Sequence, residues 1–169
     1  MIGQKMQDII NEQINAELYS AYLYRSMSAD LESKGLPGFA NWMKVQAQEE
    51  DFHAMKFFDY LNERGGRVIL KDIKAPKTQW ASPLEIFQEA YNHEILVTSL
   101  INKMMDVAIE EKDYASQQML QWFVEEQVEE EASAEEIVNK LKLIGDGGSG
   151  LFHMDKDMAG RVFTPPAKE

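Results

Sequence analysis

Residues 38–64 read GFANWMKVQAQEEDFHAMKFFDYLNER. Phe39, Met43, Gln46, Glu50, His53, Phe57 and Tyr60 recur at alternating steps of four and three, the spacing of one helix face turned toward a bundle. That face is apolar at both ends and polar in its middle. Glu50 and His53 are three residues apart, so they stand on one face a turn from each other, as a chelate requires.

The same period runs through three more segments. The first, about residues 4–34, carries Ile10, Ile14, Glu17, Ala21 and Tyr24, and stops at Gly35-Leu36-Pro37-Gly38. The third, about 83–111, carries Phe87, Ala90, Glu94, Val97, Ile101, Met105 and Ala108. Its start is marked by Ser82 as cap, Pro83 at the first helical position and Glu85 completing a capping box. The fourth, about 113–144, carries Leu120, Phe123, Gln127, Glu130, Ala134, Ile137, Leu141 and Ile144, and stops at Gly145-Asp146-Gly147-Gly148. A short fifth helix fits residues 149–160, and the tail Thr164–Glu169 reads as frayed. The expected fold is all-α: a four-helix bundle in one domain spanning residues 1–169, with a short C-terminal helix.

Linker lengths set the topology. Short links pair the first helix with the second, and the third with the fourth, antiparallel. Residues 65–82 form a longer link. A helix of about 27 residues is roughly 40 Å long, and 18 extended residues reach about 60 Å. The link can therefore run the whole length of the bundle as a crossover, with Arg67-Val68-Ile69-Leu70 extended along its outside.

Every stripe is interrupted near mid-helix: by Glu17, by Glu50 and His53, by Glu94, and by Gln127 and Glu130. Mid-helix points meet at one level whichever way the helices run. Any one of these residues alone would more often be solvated or a satisfied core group. Together, on all four stripes at one depth, they predict a polar layer in the core. Buried carboxylates are costly unless compensated, and no Lys or Arg lies on the stripes. A pair of divalent cations balances four carboxylates, and oxygen ligands with one imidazole suit iron or manganese better than zinc. Glu49, Glu126 and Glu129 lie one position off the stripes; they read either as a solvated acidic surface or as a third, weaker metal site. Tyr24, seven residues from Glu17, faces the same layer, where its hydroxyl can hold a ligating carboxylate. Trp122 reads as core packing or as an electron source, and His93 and His153 fall off the layer.

Composition excludes other classes. There is no cysteine, so disulfides and thiolate-held clusters are out. A formal net charge of −12 argues against nucleic-acid and anionic-membrane partners. No leader or transmembrane run is evident, and a cytoplasmic location is expected.

The runs Glu49-Glu50-Asp51-Phe52-His53-Ala54 and Glu125-Glu126-Gln127-Val128-Glu129-Glu130-Glu131, with Glu17 and Glu94, resemble the prokaryotic non-haem ferritins over the whole chain. Ferritin-like carboxylate bundles are a known instance of this architecture. The resemblance implies one iron held by Glu17, Glu50 and His53, and another by Glu50 as bridge, Glu94 and Glu130, with Gln127 beside it. It implies a third site at Glu49, Glu126, Glu129 and Glu130, Tyr24 as a supporting tyrosine, and a homo-24-mer shell with the fifth helix on the four-fold axis. The implied activity is ferroxidase: ferrous iron oxidised by dioxygen, the ferric product stored as mineral. Departures matter too. Gln127-x-x-Glu130 replaces the second Glu-x-x-His of bacterioferritins, and Asp51 stands where their haem methionine would fall, so no haem is expected. Gln117 and Leu120 align with pore positions that are acidic in animal ferritins, which leaves that entry route in doubt. Two other readings are a shell or cation buffer without oxidation and a di-iron oxygenase; the complete ligand set weighs against the first, and the lack of a gap in the stripes against the second.

Overall fold

The computed structural model describes residues 1–145 and 147–165. Five helices are formed: α1 (Gln4–Ser33), α2 (Pro37–Glu63), α3 (Pro83–Glu110), α4 (Tyr114–Ile144) and α5 (Gly148–Met158). No strand occurs among the described residues. Asp146 and residues 166–169, parts of the expected stop and tail, lie outside them.

The helix ends follow the expected chemistry. Gly35 and Gly65 adopt φ of +74° and +73°, the left-handed turn that ends a helix without a β-carbon clash. Ser82 Oγ accepts from Glu85 N at 3.2 Å. The return bond differs from the capping box expected: Glu85 Oε2 accepts from Ala81 N, one residue earlier than the cap. Asp113 caps α4 through Ser116 N, with Lys112 at φ 55° making the break. The fifth helix begins at Gly148 and ends at Met158, two residues short of the expected Gly160. Asn41 Nδ2 donates to the carbonyls of Met158, Ala159 and Arg161 and so caps that end.

Ile2 N donates to Arg64 O, which places the start of α1 beside the end of α2. The crossover climbs α1 step by step. Arg67 bonds Gln7 and Asn11, Ile69 bonds Asn11, Lys71 and Asp72 bond Asn15, and Lys77 bonds Ser26. It therefore runs the length of the bundle, extended as expected, and α3 starts at the end where α2 started.

The apolar core is split in two. One cluster holds Tyr24, Phe39, Phe87 and Val138; the other holds Ile10, Phe57, Val97 and Phe123. Between them lie Glu17, Glu50, His53, Glu94, Gln127 and Glu130, all at most 5 % exposed. The stripes are buried along nearly their whole length. Tyr60 and Ile144 are only half-buried, and Met104 is buried in place of Met105. Near a helix end the 3.6-residue turn lets either neighbour face inward, and packing chooses.

Candidate metal centre

Glu17 sits in the middle of α1, where Gln13, one turn earlier, donates to its Oε1 at 2.8 Å. Glu50 and His53 come from the middle of α2. One ligand atom each from Glu17, Glu50 and His53 lies within 4.8 Å of the others, and all three residues are buried. Glu17 Oε2 and Glu50 Oε2 have no hydrogen-bond partner. A buried oxygen left unpaired costs its full desolvation.

Glu94, from α3, is held on two sides. Tyr24 donates its hydroxyl to Oε1 in a short bond, and Gln127 Nε2 donates to Oε2 at 3.3 Å. The same amide also reaches Thr98 Oγ1, whose hydroxyl donates to Glu131. Glu130, from α4, accepts from Gln46 Nε2. A second compact group joins His53, Glu126 and Glu130, again with ligand atoms within 4.8 Å. His53 is thus common to both groups.

Crowding of carboxylates away from water raises their pKa values. Burial pushes Glu130 up to about 8, with the Glu94 charge adding to it. Burial also pushes Glu94 up to about 7, against the lowering effect of the Tyr24 and Gln127 hydrogen bonds. Glu50 is driven well above its ordinary range by burial and then by Glu94, Glu17 and Glu130. Tyr24 is pushed up as well, mainly by burial, and keeps its proton to donate. The layer therefore keeps protons near neutral pH.

A family model for the ferritin-like domain matches residues 7–144. A bacterial non-heme ferritin of Bacteroides fragilis is 47 % identical over 161 residues, covering 95 % of this chain and 100 % of that protein. The chain belongs to the ferritin family. Two solved ferritins share its architecture. A humanized archaeal ferritin superposes with a TM-score of 0.97 at 54 % identity, covering 98 % of this chain and 100 % of that one. An open-pore ferritin from Archaeoglobus fulgidus superposes at 0.95 with 52 % identity, covering 96 % and 100 %.

The expected site residues of this ferritin fall as follows. Glu17, Glu50, His53, Glu94, Gln127 and Glu130 converge in one layer, with Tyr24 bonded to it. Of the outer cluster, Glu126 lies beside His53 and Glu130, while Glu129 is exposed. Glu49 turns instead to Arg161, whose Nη2 lies 2.5 Å from its Oε2. Trp122 packs edge-on to His53, with ring centres 5.5 Å apart, and Lys56 lies over its face. His93 bonds Ser20 and packs edge-on to Tyr24, with ring centres 5.9 Å apart.

Sequence reading missed several supporting groups. Gln13 and Thr98 stand four residues from Glu17 and Glu94, a spacing that could have pointed to them. Gln46 lay on its stripe without a role. Arg161 had no local signal at all: it lies beyond α5, 112 residues from Glu49.

Proposed function

We propose that this protein is an iron-storage ferritin whose subunit oxidises ferrous iron, with dioxygen as electron acceptor. The observation that carries this reading is the pair of orphaned, buried oxygens, Glu17 Oε2 and Glu50 Oε2, beside His53. Glu17 Oε2 has no hydrogen-bond partner among the described residues, and Glu50 Oε2 has only His53 Nδ1 at 3.5 Å. A hard cation with oxygen and imidazole ligands fits that gap.

In this reading Glu17, Glu50 and His53 hold one ferrous ion. Glu50 bridges to a second, held also by Glu94 and Glu130, with Gln127 beside it. Gln13, Tyr24, Gln127 and Gln46 each fix one ligating carboxylate in place. The chain's part is to bring two ferrous ions together, give up site protons as they enter, and keep the layer closed by apolar packing above and below. Each ion supplies one electron to dioxygen. Glu126, Glu129 and Glu49, with Glu130, provide a third, weaker position. The storage shell is a cytoplasmic homo-24-mer, and its mineral is ferric.

The test is the initial rate of aerobic ferrous oxidation in Glu50→Ala and His53→Ala. Both variants should fall to the rate in buffer. A rate equal to that of the unaltered protein would refute the site assignment. Oxidation lost with shell and slow mineral uptake retained would separate the oxidation site from storage.

A further inference from the structure

The outer acidic cluster already contains a cation, and it belongs to the chain itself. Arg161 lies three residues beyond α5. Its Nη2 pairs with Glu49 Oε2 at 2.5 Å, and its Nη1 donates to Gln46 Oε1 at 2.9 Å and to Trp42 O at 3.3 Å. Its guanidinium stacks 4.2 Å from the centre of the Trp42 ring. Side-chain exposures of 24 % and 22 % make the pair mostly shielded from water, where opposite charges attract more strongly than on an open surface.

Two consequences follow from this geometry. First, Glu49 is committed to the guanidinium, while Glu126 and Glu130 group with His53. Second, the bond from Arg161 to Gln46 Oε1 fixes which way that amide points, so that Nε2 faces Glu130. A fork of fixed donors suits this double task, as an ammonium would not.

We propose that Arg161 is a resident competitor for the third metal position: a cation there takes Glu49 only by displacing the guanidinium. This rests on the third-site reading above. The displaced side chain has somewhere to go. An open cleft of about 730 Å³ between α4 and α5 is lined by Arg161 itself, by Asp157, which can receive the positive charge, and by Glu136, which pairs with Lys140. The C-terminal segment is thereby tied to the state of the metal centre. Asn41 holds its backbone at Arg161 O, and Asp155 Oδ1 accepts from Gly38 N and Phe39 N at the start of α2.

If Glu49 is free of Arg161 in only about a tenth of molecules, the apparent affinity of the third position is lowered about tenfold. The experiment is an anaerobic ferrous titration by calorimetry on the assembled, metal-free protein, with Arg161→Gln, Arg161→Lys and Glu49→Gln, and with Arg161→Gln combined with Glu49→Gln. In Arg161→Gln the third equivalent should bind about tenfold more tightly. Arg161→Lys, which keeps a positive charge beside Glu49 but loses the fork to Gln46, should tighten the third equivalent by less than Arg161→Gln does. In the Glu49→Gln background, Arg161→Gln should change little. Loss of a merely structural contact would lower thermal stability without tightening any metal step. A third equivalent of unchanged or weaker affinity in Arg161→Gln overturns the proposal alone. Absence of a third equivalent from every variant overturns the third-site reading and the proposal with it.

Discussion

Loading the carboxylate layer with metal must expel protons, and the number can be worked out. With pKa values raised to about 7 and about 8, Glu94 and Glu130 hold protons near neutrality in the metal-free protein. At pH 7 that is about half a proton on Glu94 and about nine-tenths on Glu130. Glu50 is also raised, by burial first and then by three neighbouring carboxylates, and adds to that count. Metal binding requires the ionised ligands, so at least about 1.4 protons should leave per subunit when the two inner positions fill at pH 7. By pH 9 the share from Glu94 and Glu130 falls to about a tenth of a proton. The assay is calorimetric titration with cobalt(II) at each pH, in buffers of differing ionisation enthalpy; the slope of observed heat against that enthalpy counts protons. Release below about 0.3 protons at pH 7, or release that does not fall toward pH 9, would mean that the layer is already ionised and solvated in the metal-free protein.

Three further outcomes follow from the same contacts. Because these carboxylate pKa values are raised on folding, their contribution to stability is fully present below about pH 4.5 and is lost as pH rises through about 7 and about 8; the metal-free protein should lose several kcal/mol of stability over that window, and a thermal-unfolding midpoint that rises with pH there would contradict it. Tyr24→Phe removes the donor to Glu94 Oε1, so the initial oxidation rate should drop on the order of tenfold while the unfolding midpoint of the metal-loaded protein barely moves; an unchanged rate would remove Tyr24 from the site. At Gly38 a β-carbon would lie 1.6 Å from the Asp155 carbonyl oxygen, so Gly38→Ala should push α5 off α2, seen as faster proteolysis near residue 150, and full resistance to protease would show that the close approach is not needed.

The parts legible in the sequence were those with a local period. The stripes named the layer residue by residue, since burial on a helix repeats every three or four positions and a carboxylate inside such a repeat stands out. The 18-residue link disclosed its path because it is long enough to span a helix; its anchors on Gln7, Asn11, Asn15 and Ser26 now show the route in detail. The parts that were not legible depend on contacts between distant segments. Glu49 and Glu129 have equivalent places one step off their stripes, yet one pairs with Arg161 and the other faces solvent. That difference is decided by a segment over a hundred residues away. The choice of Met104 over Met105, and of Ala81 N over the cap as partner of Glu85, turns on packing and on small backbone rotations that no residue pattern encodes.

The central claim is best tested by adding ferrous iron aerobically to metal-free protein while the oxidation rate is followed, and then sizing the product with iron and protein detected together. A ferroxidase shell should show a fast phase that saturates near two irons per subunit, with further iron eluting on a very large particle; saturation near three would add the outer position. Iron that oxidises no faster than in buffer, or a particle the size of one or two subunits, would contradict it.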